Sequence, residues 1–310
     1  MGRLLRSVAP AFGSRHNRVM RLEPGTLFEA VRERSARAQR RGVLRSIPTS
    51  FELVEDRESG IEFVVRIVEQ LGRKQEAASE QQRSGANPFL PYDRELFVAE
   101  LSETHLCLLN KYNVLDHHLL IVTRSFEEQE SLLTLEDFEA LWLCMAEGEG
   151  LGFYNAGTEA GASQPHKHLQ LVSVPIGVGP ERTPIDPVLA GARFDGPLGT
   201  VPALPFLHSV ARLDERSAPG SEGAAAAALG IYRAMLARVG IEAEAPRPYN
   251  LLATRDWMML LPRTRGFSRA IEVNALGFAG TLLVRDPEQL DFVRSEGPMT
   301  LLRSVAFPPA

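Results

Sequence analysis

The segment Ser163-Gln164-Pro165-His166-Lys167-His168-Leu169-Gln170 places His166, His168 and Gln170 two residues apart. A strand sends successive side chains to opposite faces, so these three would share one face. Two imidazoles and an amide in a row form a polar stripe that an apolar core rejects. The following Leu171-Val172-Ser173-Val174 is β-prone, which favours the strand reading. Just upstream, Gly157, Gly161 and Ala162 are small enough for a backbone to approach a ligand closely. An imidazole nucleophile beside such a loop suits attack on phosphorus. A lone histidine is usually a satisfied structural residue. Two of them with a glutamine on one face, after a Gly/Ser loop, point to chemistry instead.

The surrounding elements must hold this stripe in place. Thr26 is positioned to cap a helix over roughly 27–41, with Glu29 completing a capping box. Residues 61–71 mix β-branched and charged residues and read as a strand or short helix. Residues 76–86 are polar and read as a loop, followed by the rigid Asn87-Pro88-Phe89-Leu90-Pro91. Leu96 to Val98, His105 to Leu109 and His118 to Thr123 read as strands, the last two joined through Asn110-Lys111-Tyr112-Asn113. Thr134 with Asp137 caps a helix striped by Phe138, Leu141, Trp142 and Met145, aromatics that read as core rather than base-stacking platforms. Residues 175–205 are rich in Pro and Gly and read as an irregular excursion. An Ala-rich helix over about 222–239 follows. Tyr249 to Thr254 and Trp257 to Leu261 form a second hairpin, and Asp286-Pro287 and Gly297-Pro298 each start a terminal helix. Antiparallel strands with separate helices make an α+β fold, and the two hairpins hint at a duplicated β unit. The expected divisions are a basic tail over 1–25, a catalytic region over 26–210 and a C-terminal region over 211–310.

Composition narrows the function. The chain has 310 residues and is 44% hydrophobic, enough for a large core. A net charge of −5 argues against a nucleic-acid partner, and no run of about 18 apolar residues marks a membrane span. Residues 1–45 carry eleven Arg and three Glu with no Asp or Lys, so the start is basic and the remainder acidic. Cys107 and Cys144 sit in apolar stretches and read as buried free thiols in a reducing, cytoplasmic setting. No Cys/His spacing fits a closed zinc site, and neither a Gly-x-Gly-x-x-Gly nor a Walker sequence is present.

Gly161-Ala162-Ser163-Gln164-Pro165-His166-Lys167-His168-Leu169-Gln170 resembles the His-x-His-x-Gln signature of the diadenosine tetraphosphate phosphorylases, or ATP adenylyltransferases, of the histidine-triad superfamily. Asn87-Pro88-Phe89, Leu108-Leu109-Asn110-Lys111, His118-Leu119-Leu120-Ile121-Val122-Thr123, Phe153-Tyr154-Asn155, Pro248-Tyr249-Asn250-Leu251-Leu252 and Asn274-Ala275-Leu276-Gly277-Phe278-Ala279-Gly280 resemble the same family. The resemblance spans about 50–307. The first 20 residues match nothing recognisable.

The resemblance implies a histidine-triad-like antiparallel sheet with flanking helices. It implies the reaction of diadenosine tetraphosphate with phosphate to give ATP and ADP, through AMP held covalently on His168. His166 would be a buried orienting residue. Gln170 stands where hydrolytic relatives carry a histidine; an amide donates a hydrogen bond but carries no titrating proton, which implies transfer to phosphate rather than to water. The implied substrate contacts are Lys74, Asn110, Lys111, Asn155, Gly161, Ala162, Ser163, Gln164, Asn274, Ala275, Leu276 and Arg285. Thr281 joins them at a position where the family can carry a more apolar residue. His105, His117, His118 and His208 read as structural or surface residues. No tightly bound cofactor is implied; Mg2+ would travel with the polyphosphate, since no carboxylate cluster marks a protein-held metal site. The implied partners are the dinucleotide and phosphate, and a monomer is favoured. The alternatives are a histidine-triad hydrolase of the same substrate, a sugar-phosphate uridylyltransferase and a non-catalytic nucleotide sensor.

Overall fold

A computed structural model describes residues 23–68 and 87–309. Most of the basic tail, the polar stretch over 76–86 and Lys74 lie outside the described residues. In chain order the first elements are α1 (Leu27–Arg40), β1 (Thr49–Glu55), β2 (Glu62–Val68), β3 (Phe97–Glu100), β4 (His105–Leu109), β5 (Leu119–Thr123), α2 (Leu135–Ala146), β6 (Gly150–Ala156) and β7 (His168–Ser173). The excursion over 175–205 is less irregular than its Pro and Gly content implies, since it forms α3 (Asp186–Leu189), β8 (Arg193–Asp195) and β9 (Leu198–Thr200). Then come β10 (Ser209–Arg212), α4 (Ala224–Arg238), β11 (Tyr249–Ala253), β12 (Trp257–Pro262), β13 (Phe267–Ser268), β14 (Ile271–Glu272), α5 (Ala275–Phe278), β15 (Thr281–Val284), α6 (Pro287–Glu296) and α7 (Pro298–Val305).

Ten strands form one sheet in the order β3-β4-β5-β7-β6-β11-β12-β10-β9-β8. The order is two copies of one pattern joined where β6 meets β11 antiparallel. In each copy a strand, a helix and a hairpin follow in sequence: β5-α2-β6-β7 and β10-α4-β11-β12. A duplicated β unit is therefore present, but it does not relate the two hairpins read from the sequence: β11-β12 matches β6-β7, and β4-β5 matches β9-β10. β10 straddles residue 210, so that expected boundary falls inside a strand. In β5 Leu120 pairs with Gln170, and in β10 Val210 pairs with Met259. Leu120 and Val210 each lie two residues after a histidine, His118 and His208. On this equivalence Trp257 and Met259 stand where the first copy has His168 and Gln170, so only the first copy carries the polar stripe.

One face of the sheet packs on α1, α2 and α4 through an apolar layer that includes Leu169, Leu171, Phe138, Trp142, Tyr232 and Met258. The other packs on the segment over 271–306 and on a second sheet of order β1-β2-β15. This small sheet roofs the face that carries His168 and Gln170. Helix α2 starts as expected: Asp137 N–H donates to Thr134 Oγ1, and Thr134 N–H donates to the Asp137 carboxylate. The expected capping box on α1 does not form. Thr26 has helical dihedrals and its hydroxyl donates to Glu23 O. The Glu147 carboxylate, at the end of α2, accepts from Gly25 N and Leu27 N instead. A tertiary partner thus satisfies donors that the local box leaves open.

Candidate active site

β7 begins at His168, and its ladder with β6 stops at Phe153 opposite Gln170. Two more ladder steps would pair Asn155 with His168. The side-chain amide of Gln129 fills that gap. It donates to Asn155 O at 2.9 Å and His168 O at 3.1 Å, and accepts from His168 N at 2.8 Å. The ladder therefore opens at His168, and the Gln129 amide takes up Asn155 O, His168 O and His168 N there. Gln129 itself is buried, and the Tyr154 hydroxyl donates to its carbonyl at 2.5 Å.

Side-chain polarity across the site follows from main-chain amides, which can only donate. Phe89 N–H donates to Asn87 Oδ1, so Asn87 Nδ2 donates to His166 Nδ1 at 2.8 Å. His166 Nε2–H then points at Thr123 O, 2.9 Å away. The His166 carbonyl accepts from His168 Nδ1 at 2.8 Å. His168 is thereby fixed with its proton on Nδ1, and Nε2 has no hydrogen-bond partner among the described residues. The Phe89 ring lies 5.5 Å from His166 and 5.4 Å from His168, so it packs against both imidazoles.

A second relay ends on Gln170. Tyr112 N–H donates to Asn110 Oδ1, leaving Asn110 Nδ2 to face His118 Nδ1 at 3.3 Å. His118 Nε2–H then donates to Gln170 Oε1 at 2.9 Å. The Gln170 NH2 is left as a donor toward the cleft. A third relay ends on Asn155. Its Oδ1 accepts from Ala275 N at 3.0 Å and from Asn250 Nδ2 at 2.8 Å, so Nδ2 is the free end, buried and without a partner. Asn250 is oriented in turn by Arg263, whose Nη1 donates to Asn250 Oδ1 at 2.6 Å. Arg263 is 1% exposed and also reaches the carbonyls of Ala160, Val273, Arg265 and Val305. Five acceptors on one fork satisfy a buried guanidinium that no carboxylate pairs. Burial pushes its pKa down to about 9, so it stays charged at neutral pH.

Burial also pushes His168 and His118 down to about 4. Both are neutral at pH 7, with more margin than an unperturbed imidazole would give. On the opposite face of β7, Lys167 is fully buried and lies 2.6 Å from Asp137 of α2. Burial alone would raise the Asp137 pKa. A hydrogen bond from His105 and the Lys167 charge outweigh it and hold the pKa below the usual range. This pair pins β7 to α2 on the side away from the cleft.

The cleft is about 230 Å³ and lies between the splayed strands and the roof sheet. Of the residues expected at the site, Asn110, Asn155, Gly161, Ser163, Gln170, Asn274, Leu276 and Thr281 line it. His166 and His168 are not among the residues that line it; both pack against Phe89. Ala162, Gln164, Lys111, Ala275 and Arg285 do not line it. The Lys111 ammonium lies over the Tyr112 ring, and Arg285 follows the end of β15, where its N–H donates to Gln289. Ala275 acts through its main-chain N–H on Asn155, and Asn274 caps α5 by accepting from Leu276 N. Gly161 has φ +89°, and a Cβ there would meet Val273 O at 2.7 Å, so the loop closes against the 273–274 segment only with glycine.

Four residues at the site were not assigned roles from the sequence. His118, read as structural or surface, lines the cleft and holds Gln170. Gln129, Arg263 and Arg66 carry no motif. His118 alone had a sequence signal: it immediately precedes an apolar strand, as His208 does in the second copy. Arg66, in β2, lines the cleft, and its buried Nε has no hydrogen-bond partner among the described residues.

Comparison with known proteins agrees with this geometry. The model of the Ap4A phosphorylase N-terminal domain matches residues 17–191, and that of the ATP adenylyltransferase C-terminal domain matches residues 202–308. Diadenosine 5',5'''-P1,P4-tetraphosphate phosphorylase 2 of Saccharomyces cerevisiae is 28% identical over 86% of this chain and 89% of its own. Protein APA1 of the same yeast is 26% identical over 86% of this chain and 88% of its own. The crystal structure of yeast Ap4A phosphorylase Apa2 in complex with AMP superposes with a TM-score of 0.77 at 24% identity, covering 93% of this chain and 98% of that one.

Proposed function

The chain belongs to the Ap4A phosphorylase and ATP adenylyltransferase family, and on that premise we propose that it converts diadenosine tetraphosphate and phosphate to ATP and ADP. The observation that carries the reading is His168. Its Nδ1 is tied to His166 O, its ring is neutral, and Nε2 has no partner among the described residues, beside a glutamine whose NH2 faces the cleft.

His168 Nε2 attacks the α-phosphorus, forming an N–P bond as the bond from that phosphorus to the bridging oxygen breaks. ATP departs as an anion and AMP stays on the histidine. A phosphate oxygen then attacks the same phosphorus, the N–P bond breaks, and ADP is released. Two displacements replace one difficult one. Asn155 Nδ2, Gln170 Nε2 and the main chain around Gly161 and Ser163 supply hydrogen-bond donors for the phosphoryl oxygens. Gln170 offers no proton to a leaving group, and this favours transfer to phosphate. Mg2+ enters with the polyphosphate.

The test is product identification with and without phosphate. ADP that forms only when phosphate is added supports the reading. AMP formed regardless of phosphate would make the chain a hydrolase. Nucleotide binding without turnover would make it a sensor.

A further inference from the structure

Among the described residues, three buried side-chain atoms around the cleft have no hydrogen-bond partner: Arg66 Nε, Asn155 Nδ2 and Thr281 Oγ1. Buried polar atoms are ordinarily paired, so unpaired ones that converge on a cavity mark where a ligand's polar atoms belong. Asn155 lies on the splayed sheet beside His168 and falls within the phosphoryl end described above. The other two lie on the roof. Thr281 pairs with Val64 and Leu283 with Arg66 in the parallel ladder of β15 and β2. Residues two apart share a face, so Arg66 and Thr281 project together from neighbouring strands.

The surroundings of Arg66 do not suit an anion. Burial lowers the pKa of its guanidinium, and the nearby Asp116 carboxylate offsets this only in part, so a second charge brought here would be costly to desolvate. The cleft is also lined by the apolar Ile47, Leu115, Leu276 and Leu283, the last paired with Arg66 in the ladder. A flat, neutral ring whose edge carries acceptors fits such a place. A guanidinium is planar, stacks on aromatic faces and donates in a fixed fork, which a phosphate-binding lysine cannot reproduce. We propose that Arg66, with Thr281 beside it, reads the nucleobase of the bound nucleotide and so sets which dinucleotide the enzyme prefers. This deepens the adenylyl-transfer reading and rests on it for the orientation of the nucleotide, with phosphate toward His168 and base toward the roof.

The test is equilibrium binding of AMP, GMP, CMP and UMP to the full chain, which needs no turnover. The unmodified protein is expected to prefer purine over pyrimidine monophosphates by about tenfold, the scale of one lost base contact. Arg66→Ala is expected to remove most of that discrimination, with AMP weakened far more than UMP. Arg66→Lys keeps the charge and the stem, so it serves as the folded control should the alanine variant misfold. It is expected to lose discrimination as well, because the fork is gone. Thr281→Val, which has the same shape without the hydroxyl, is expected to narrow the ratio to a smaller degree. An equal loss for all four nucleotides in Arg66→Ala would mean that Arg66 contacts phosphate and would overturn the proposal. So would an unchanged ratio, or no base preference in the unmodified protein. Failure of the phosphorolysis assay alongside a collapsed ratio would sink the reaction and leave the base contact standing.

Discussion

His118 donates from Nε2 to Gln170 Oε1 at 2.9 Å, and this single bond decides which end of the glutamine amide faces the substrate. The two ends are opposite in kind: one accepts and the other donates. The polarity originates in the main-chain N–H of Tyr112 and passes through Asn110. A site that binds phosphoryl oxygens needs donors, so the relay holds Gln170 in its useful orientation before substrate arrives.

Replacing His118 with alanine should therefore act on the rate more than on binding. We expect kcat for phosphorolysis to fall by about ten- to a hundredfold, the range for loss of a residue that orients a reacting group, with little change in KM. Steady-state kinetics on the folded variant measures both. A rise in KM at constant kcat would show that His118 only shapes the cleft.

His168→Ala should abolish turnover and keep nucleotide binding largely intact, because the imidazole forms the covalent bond and other groups hold the nucleotide. Gln170→His should raise the ratio of hydrolysis to phosphorolysis by adding a titrating group beside the adduct. Product ratios at fixed phosphate measure this. Activity of even a few per cent in His168→Ala, or no label on the peptide bearing His168 after trapping with radiolabelled dinucleotide, would refute the covalent route.

Gln129→Leu conserves volume and removes three hydrogen bonds to the main chain at Asn155 and His168. Each buried group left unpaired costs on the order of 1–3 kcal/mol, and a total loss of about 3 kcal/mol is expected. Denaturant unfolding measures it. A loss below about 1 kcal/mol would mean that water or a closing ladder replaces the amide.

The pH dependence follows from buried imidazoles: burial lowers His166 and His208, and it lowers His168 and His118 furthest. In the native state His168 and His118 titrate at about 4, against an ordinary value of 6.5. Between those values the unfolded chain binds protons that the native chain does not, so stability falls as pH drops from 6.5 toward 4. Their contribution is constant above that window. The nucleophile remains neutral through it, so the acid limb of kcat/KM for the dinucleotide, at saturating phosphate, should lie nearer pH 4 than 6.5. A limb at 6.5 would show that His168 is solvated in the working enzyme.

The reactive stripe was legible in the sequence because its information is local. The spacing of His168 and Gln170 becomes one face of β7 as soon as the strand forms, whereas His166, expected on the same strand, lies before it in an isolated bridge to Glu128. The capping box of α2, the hairpin of β11 and β12 and the terminal helices follow from neighbours three or four residues apart in the same way. α1 shows where that stops: its local box is present in sequence, and Glu147, 120 residues from Leu27, takes its place.

The parts that tertiary structure decided are those that depend on convergence. Gln129 matters because a ladder that could have paired Asn155 with His168 opens instead. Arg263 matters because five acceptors from separate segments meet around it, and Arg66 because β2 lies beside β15 over the cleft. None of these has a spacing to read, since a glutamine or an arginine looks the same in a sequence whether it is solvated or enclosed. Only the packing fixes which donors lose water and must find a partner, and that loss turns an ordinary side chain into part of the site.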